Sequence, residues 1–132
     1  MLLNLTVVYG LRAMAVLASL QPDDSINNAQ LAVRTAVPRQ YLSKVMRKLV
    51  VAGLVQSQRG RGGGFLLQRP PSQVRLADVL QALDLQLDGG CAFGLPQCDP
   101  KHPCALHPLW SRLQQSLAVW ADDHPFAQFS AH

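Results

Sequence analysis

Apolar residues near the start of the chain recur at steps of four and then three. They are Leu3, Val7, Leu11, Met14 and Leu17. This spacing aligns one apolar stripe along a helix, so it predicts a first core helix. The polar stretch QPDDSINN follows at residues 21–28 and predicts a turn. Asn27 or Asn28 is expected to cap a short second helix ending near Thr35, because an asparagine oxygen accepts from unpaired helix N–H groups.

A third helix is predicted from residue 38 onwards, with two faces of opposite character. Pro38 suits the first helical position, where its missing N–H costs nothing, and Gly53 suits the position that ends a helix. The apolar residues at i, i+3, i+4 and i+7 are Leu42, Val45, Met46 and Leu49. The polar residues are Arg39, Gln40, Ser43, Lys44, Arg47 and Lys48. The helix is therefore expected to bury one face and present a basic one.

Two short extended segments follow, joined by RGRGGG at residues 59–64. The glycines allow the positive φ angles of a tight reversal, so this region predicts a β-hairpin. The stretch VRLADVLQAL at residues 74–83 predicts another helix, with Val79, Leu80 and Leu83 facing inwards. We therefore predict a mainly α fold with a small β-hairpin, in which residues 1–85 form a winged helix-turn-helix domain.

The last predicted helix, in residues 108–132, carries a narrow apolar seam. Its members are Trp110, Leu113, Leu117 and Trp120, which alternate steps of three and four. That spacing suits pairing with a second helix, so we interpret 108–132 as a dimerisation helix and tail. An intramolecular core contact is the alternative. Residues 86–107 lie between the two parts and hold every cysteine of the chain.

Charge divides the chain more sharply than its net value of +4 indicates. Residues 25–77 hold nine of the twelve basic residues and no acid, whereas residues 78–132 hold six aspartates against two basic residues. Such a one-sided block favours a polyanionic partner, above all nucleic acid, with a solvated surface as the alternative. No apolar run is long enough to span a membrane. Three cysteines, an odd number, indicate the cytoplasm rather than a complete disulfide framework.

The third helix and the hairpin together form a candidate surface for double-stranded DNA. A major groove accepts one α-helix, from which glutamine can pair with adenine and arginine with guanine, while basic hairpin residues contact the backbone. The candidate residues are Arg39, Gln40, Ser43, Lys44 and Arg47 on the helix, and Arg59, Arg61, Gly62 and Gly63 on the hairpin. A nucleotide-binding P-loop fits poorly, because an extended segment follows the glycines and the lysine is missing. A turn without a role stays open as an alternative.

The cysteine-rich segment supplies a complete set of four metal ligands. They are Cys91, Cys98, Cys104 and His107. Three thiolates and one imidazole are donors that select zinc, copper(I) or an iron–sulfur cluster, and the spacing does not choose among them. Asp99 or His102 could replace one ligand, and three incidental buried thiols are the alternative. An enzyme has little support, because no paired carboxylates accompany a plausible base.

The chain resembles the bacterial winged-helix regulators typified by the iron–sulfur cluster regulator IscR and the nitric-oxide-sensing repressor NsrR. The resemblance is carried by YGLRAM in the first helix, YLSKVMRKLVVAGLVQSQRGRGGGFLL through the third helix and hairpin, LADVLQAL after it, the three-cysteine loop and the terminal helix. It implies a homodimer that binds a partly palindromic operator, with a cluster near the dimer interface tuning DNA affinity. We accordingly expect a repressor that senses redox state, nitric oxide or iron–sulfur status.

The resemblance also implies a ligand set. Cluster-binding members use three cysteines in this loop, which match Cys91, Cys98 and Cys104. The iron–sulfur regulator type adds a histidine, which matches His107, whereas the nitric-oxide sensor type takes an aspartate where this chain has Val8. A 2Fe–2S cluster is therefore expected over a 4Fe–4S cluster, with structural zinc or a thiol switch as the alternative. The first cysteine gap is one residue longer than in either type, and the reading-helix residues differ, so the operator need not carry over.

Overall fold

The computed structural model describes residues 4–60, 63–85, 101–123 and 125. These residues form the helices α1 (Leu5–Ala18), α2 (Asn28–Thr35), α3 (Arg39–Val51), α4 (Leu76–Ala82) and α5 (His107–Asp123), and the antiparallel strands β1 (Val55–Gln58) and β2 (Gly64–Leu67). A 3-10 turn at Pro71–Gln73 precedes α4. The predicted order of three helices, a hairpin and two further helices is confirmed. The division of the chain at residues 85 and 107 stays a prediction.

Asparagine caps set the starts of the first two helices. Asn4 Oδ1 accepts from Val7 N at 3.0 Å, and Asn27 Oδ1 accepts from Gln30 N at 2.8 Å. The Asn27 N–H in turn donates to Gln30 Oε1 at 3.3 Å, which completes a reciprocal capping box. Each cap satisfies an N–H group that the first helical turn leaves without a partner. The predicted cap at residue 27 or 28 is therefore confirmed at Asn27.

The third helix begins one residue later than predicted and ends as predicted. Pro38 has an extended ψ of 135°, and its carbonyl accepts from Leu42 N at 2.9 Å. It therefore caps α3 from outside, and its predicted place as the first helical residue is wrong. At the other end Gly53 has a φ of +79°, and the N–H of Leu54 donates back to Leu49 O at 3.1 Å. This pattern satisfies the carbonyls that the last turn would leave unpaired.

The hairpin is fastened to the turn before α2 near the tip end of its strands. Its strands pair up to Gln58, which lies opposite Gly64. Next to that pair, Phe65 and Ile26 exchange two backbone hydrogen bonds of 2.7 and 3.0 Å. A Cβ atom at Gly64 would lie 2.8 Å from Asn27 N, so the close approach of the two backbones requires glycine here. The hairpin is therefore held directly against the start of α2.

The first helix lies at the centre of the fold and packs against α2, α3, α4 and β2. The largest fully buried side chains are Val7, Met14, Leu31, Leu42, Val45, Met46, Leu49, Val55, Val74, Val79 and Leu83. The predicted inward faces of α3 and α4 are thereby confirmed. Leu83 packs so closely on α1 that a Cβ atom at Gly10 would lie 2.7 Å from its Cδ2 atom. The end of α4 is therefore tightly packed against the first helix.

The last helix leaves most of its surface exposed. Ala121 is the single buried residue among those described in α5, which packs against α4. Arg75, just before α4, forms ion pairs with Asp122 of α5 and with Asp78. The hydrogen bond and charge of Asp78, with the charge of Asp122, raise the pKa of the Arg75 guanidinium. Although α5 has 17 residues, no helix in the described part of the chain is long and apolar enough to cross a membrane.

Candidate nucleic-acid interface

The exposed face of α3 is strongly basic. Its apolar side, made of Leu42, Val45, Met46 and Leu49, is buried against the core. All six residues of the polar side are exposed, namely Arg39, Gln40, Ser43, Lys44, Arg47 and Lys48. The sequence prediction of a helix with one buried face and one basic face is therefore confirmed. A rigidly packed helix with such a face can present side chains to a major groove.

Ser43 joins this face to the preceding helix. Its hydroxyl donates to Arg39 O at 3.0 Å, one turn earlier in α3. The same oxygen accepts from Asn28 Nδ2, in the first turn of α2, at 3.0 Å. A serine hydroxyl has one hydrogen and two lone pairs, so both contacts together leave one lone pair. The hydroxyl therefore bridges the two helices of the helix-turn-helix.

A cluster that the sequence analysis missed fixes the start of α3 against α1. The hydroxyls of Tyr41 and Thr6 are hydrogen-bonded at 2.9 Å, and the rings of Tyr41 and Tyr9 meet edge to face with centroids 5.1 Å apart. Arg12 lies 5.7 Å from the Tyr9 ring centroid and donates to Thr35 O at 3.3 Å. The edge-to-face ring contact and the hydroxyl hydrogen bond both depend on direction, so they orient α3 against α1, and Arg12 contacts the Tyr9 ring within α1. The signal in the sequence was the Tyr9 and Arg12 pair at i, i+3 on α1.

The last basic side chain of the face already forms an ion pair with an aspartate of the same chain. Lys48 Nζ forms an ion pair with Asp84, which lies two residues after the end of α4 and has a φ of +64°. Leu85 N donates to Leu80 O at 3.0 Å and Asp84 N to Gln81 O at 3.1 Å, which is the pattern that closes a helix. Neither Asp84 nor its contact was predicted, because a local pattern contains no sign of a partner 36 residues away.

The tip of the hairpin is described only in part. Arg59 is exposed after β1, and Gly60 follows with a φ of +95°, which glycine adopts freely. The N–H of Gly63 donates to Gly60 O at 2.9 Å, so a phosphate contact by this group would have to break that bond. Arg61 and Gly62 lie outside the described residues. The DNA-binding roles of all four hairpin residues stay predictions.

Two members of the predicted ligand set lie in one turn at the start of α5. His107 N donates to Cys104 O at 3.1 Å, and both residues are half-buried. A thiol and an imidazole thus stand close together in the chain, and both are donors that zinc and iron–sulfur centres accept. Cys91, Cys98 and Asp99 lie outside the described residues. No group of three potential ligands comes together among the residues that are described, so the four-ligand set stays a prediction.

The exposed side of α5 carries large apolar side chains. Leu109 is 66% exposed, and Leu113 and Trp120 are each 43% exposed; these three residues are called the α5 stripe. The other members of the predicted seam, Trp110 and Leu117, are half-buried, and Trp110 Nε1 is buried with no hydrogen-bond partner among the described residues. The exposed stripe is therefore rotated towards Leu109 relative to the predicted seam. Grouped apolar exposure of this kind is typical of an interaction surface.

A family match and a similar protein both point to regulators of transcription. Residues 3–131 match the Rrf2 family, which is described as an iron-dependent transcriptional regulator. The HTH-type transcriptional regulator IscR of Yersinia pseudotuberculosis is 28% identical over 120 residues, which cover 91% of this chain and 73% of that protein. These relatives are named as regulators of transcription rather than as enzymes.

Solved structures share the arrangement of helices and hairpin. The structure of CymR, the global cysteine regulator of B. subtilis, has a TM-score of 0.80 at 23% identity and covers 98% of each chain. The structure of T. potens IscR has a TM-score of 0.74 at 25% identity, over 95% of this chain and 82% of that one. The predicted winged-helix fold and the resemblance seen in the sequence motifs are both confirmed.

Proposed function

This chain belongs to the Rrf2 family of transcriptional regulators, and on that premise we propose that it is a dimeric, sequence-specific DNA-binding repressor controlled by an iron–sulfur cluster. The observation that carries DNA binding is the two-faced α3, which buries its apolar side and exposes four basic side chains on the other. Further support is that residues 25–77 contain no acid and that Arg59 of the hairpin is also exposed. A cytoplasmic location is part of this proposal, because the similar regulators come from bacteria, whose DNA lies in the cytoplasm.

The reading helix is proposed to enter the major groove with its first turn nearest the bases. Arg39 can pair bidentately with guanine and Gln40 with adenine. Lys44 lies one turn further along and is assigned to a phosphate. The hairpin, fastened to the start of α2, would reach the neighbouring backbone with Arg59 and Arg61. Because the hairpin and α3 are both fixed to the same core, their contacts would share one register on the DNA.

Replacing Lys44 with alanine tests this assignment. If Lys44 contacts one phosphate, K44A should weaken binding to all operator sequences alike and reduce the salt slope of log K by about one per subunit. The readout is fluorescence anisotropy between about 50 and about 200 mM salt, with an operator selected from random duplexes. Arg112→Ala, which removes an exposed cation from α5, is the matched control. An unchanged salt slope in K44A would show that Lys44 does not contact a phosphate. If the wild-type protein binds no duplex, the proposed function is refuted.

The ligand set proposed for the cluster is Cys91, Cys98, Cys104 and His107, and 2Fe–2S is favoured over 4Fe–4S. Support comes from the turn that joins Cys104 to His107, from the soft-donor character of the set, and from the likeness to IscR. When bound, the cluster would supply one-electron redox chemistry, and imidazole ligation raises its potential relative to thiolate alone. The turn leads directly into α5, so the ligands stand next to the proposed dimer element.

Anaerobic purification tests the cluster. We expect a brown protein with visible absorbance and bound iron and sulfide. His107→Ala should lose the cluster while keeping its helical circular dichroism, whereas His102→Ala, the matched control from the same segment, should keep the cluster. Loss in H102A instead of H107A would reassign the fourth ligand. A colourless protein with one zinc per chain would contradict the cluster and favour the structural-zinc alternative, and reductant-dependent DNA binding without metal would favour a thiol switch.

The homodimer is proposed to form through α5. Trp110, Leu113, Leu117 and Trp120 were predicted as its contacts, and Leu113 and Trp120 lie on the exposed α5 stripe. A two-fold operator requires two reading helices about 34 Å apart, so the dimer sets which half-site spacing is read. Arg75 and Asp122 link α5 to α4, which connects this interface to the DNA-binding part.

A further inference from the structure

We infer that Lys48 contacts a DNA phosphate and that Asp84 competes with that phosphate for the ammonium group of Lys48. This inference rests on the proposed DNA binding and adds a pair of residues that tunes it. Lys48 follows Lys44 by four residues, so the two side chains lie on the same side of α3. Lys48 is 42% exposed, yet its charge is already paired within the protein.

Asp84 lies at a backbone position that few residue types adopt and at a helix end that disfavours its negative charge. Its φ of +64° belongs to the left-handed region, which glycine and asparagine occupy more readily. It also follows the last turn of α4, where the partial negative charge of the carbonyls repels a carboxylate. Its side chain is 73% exposed, so burial gives no compensation. Among the described residues, the favourable charge contact of Asp84 is its ion pair with Lys48.

The backbone around Asp84 is held in place by its neighbours. The Lys48 side chain therefore has two alternative positions, one on Asp84 and one on a DNA phosphate. The preceding residue, Leu83, is buried against Gly10, and the following residue, Leu85, donates its N–H to Leu80 O. Asp84 therefore cannot follow a lysine side chain that swings onto a phosphate. In each subunit the charge of Lys48 is paired either with Asp84 or with a DNA phosphate. A shift of the end of α4 would move Asp84 and so change how often Lys48 contacts the DNA. Asp84 lies seven residues before Cys91, so this end of α4 leads towards the cysteine segment.

Asp84→Asn tests the inference because it removes the charge and keeps a residue that tolerates the left-handed conformation. D84N should tighten DNA binding about two- to fivefold per subunit, the range expected when an exposed ion pair no longer competes, and should steepen the salt slope by about one. The gain should vanish when Lys48 is also replaced, so D84N/K48A should bind no tighter than K48A. Asp123→Asn is the matched control: it makes the same charge change at an exposed carboxylate at the end of α5, outside the Arg75 ion pair.

Three results would overturn the inference. D123N could strengthen binding as much as D84N, which would reveal a general charge effect. The gain in D84N could persist without Lys48, or D84N could weaken binding because Asp84 orients Lys48 towards DNA. Wild-type protein in the same titration separates the two proposals: failure to bind any duplex refutes the proposed function, whereas normal binding with D84N unchanged refutes this inference alone. Thermal unfolding checks that D84N is folded, and Asp84→Gly, which suits the backbone better, provides a second variant.

Discussion

At the scale of single residues, Ser43 differs from its neighbours on the exposed face of α3. Its one hydrogen is committed to Arg39 O, and its oxygen holds the Asn28 amide. It can therefore offer DNA an acceptor but no donor unless the bridge breaks. We interpret Ser43 as a positioning residue that sets the angle between α2 and α3, while Arg39 and Gln40 remain the candidates for reading bases.

This interpretation predicts that Ser43→Ala and Asn28→Ala weaken DNA binding without changing base preference. Each variant loosens α3 from α2, and the double variant should lose little more than either one, with a coupling of about 0.5–1.5 kcal/mol. Anisotropy titrations against a panel of single-base operator variants provide the measurement. Gln40→Ala is the comparison that should relax one base position, by about 1–3 kcal/mol. A changed base preference in S43A would show instead that Ser43 reads DNA directly.

At the scale of elements, the hairpin depends on a close approach that glycine alone permits. Gly64→Ala places a Cβ atom against the backbone of Ile26 and Asn27, which cannot move as a flexible side chain can. We expect a loss of about 1–3 kcal/mol in the free energy of unfolding, measured by urea denaturation. Gly60→Ala is the matched control, because its Cβ meets nothing within 4 Å and only the positive φ penalises it, by about 1–2 kcal/mol. A smaller loss in G64A than in G60A would contradict the role given to the contact.

The elements themselves could be predicted because their signals are local. The cap at Asn27 and the stop at Gly53 each involve partners within a few residues, so the sequence contains the whole interaction. Pro38 was misplaced by one residue because its fixed φ suits both the cap and the first helical position. The pairing of Phe65 with Ile26 joins segments far apart in the chain, and no periodicity reports such a contact.

The orientation of α5 could be predicted only approximately. An apolar seam at steps of three and four defines a narrow face of the helix, and the predicted seam included Trp110 as a full member. Leu109 is more exposed than any other large apolar residue described in α5, whereas Trp110 turns partly inwards. The rotation follows from packing against α4 and from the ion pair of Arg75 with Asp122, both of which are tertiary contacts. Of the candidate metal ligands, Cys104 and His107 lie close together at the entry to this helix because only two residues separate them in the sequence.

At the scale of the whole molecule, the α5 stripe predicts an oligomer that dissociates when its aromatic anchor is removed. Trp120→Ala should weaken the dimer by about 2 kcal/mol or more, because buried tryptophans dominate such interfaces. Sedimentation velocity over a range of concentrations provides the measurement. Val119→Ala is the matched control: Val119 is 61% exposed on the same helix but points about 100° away from Trp120. Dissociation of V119A with W120A still dimeric would place the interface on another face of α5.

Because Ile26 and Phe65 fasten the hairpin next to its last strand pair, the length of the tip beyond that pair is separated from the placement of the reading helix. A longer or differently charged tip could be transplanted between Gln58 and Gly64 without shifting the strand register or the start of α2. Such a chimera would keep the major-groove contacts and change only how far the protein follows the neighbouring groove. This fold can therefore acquire a new operator length in small steps, with its core intact throughout.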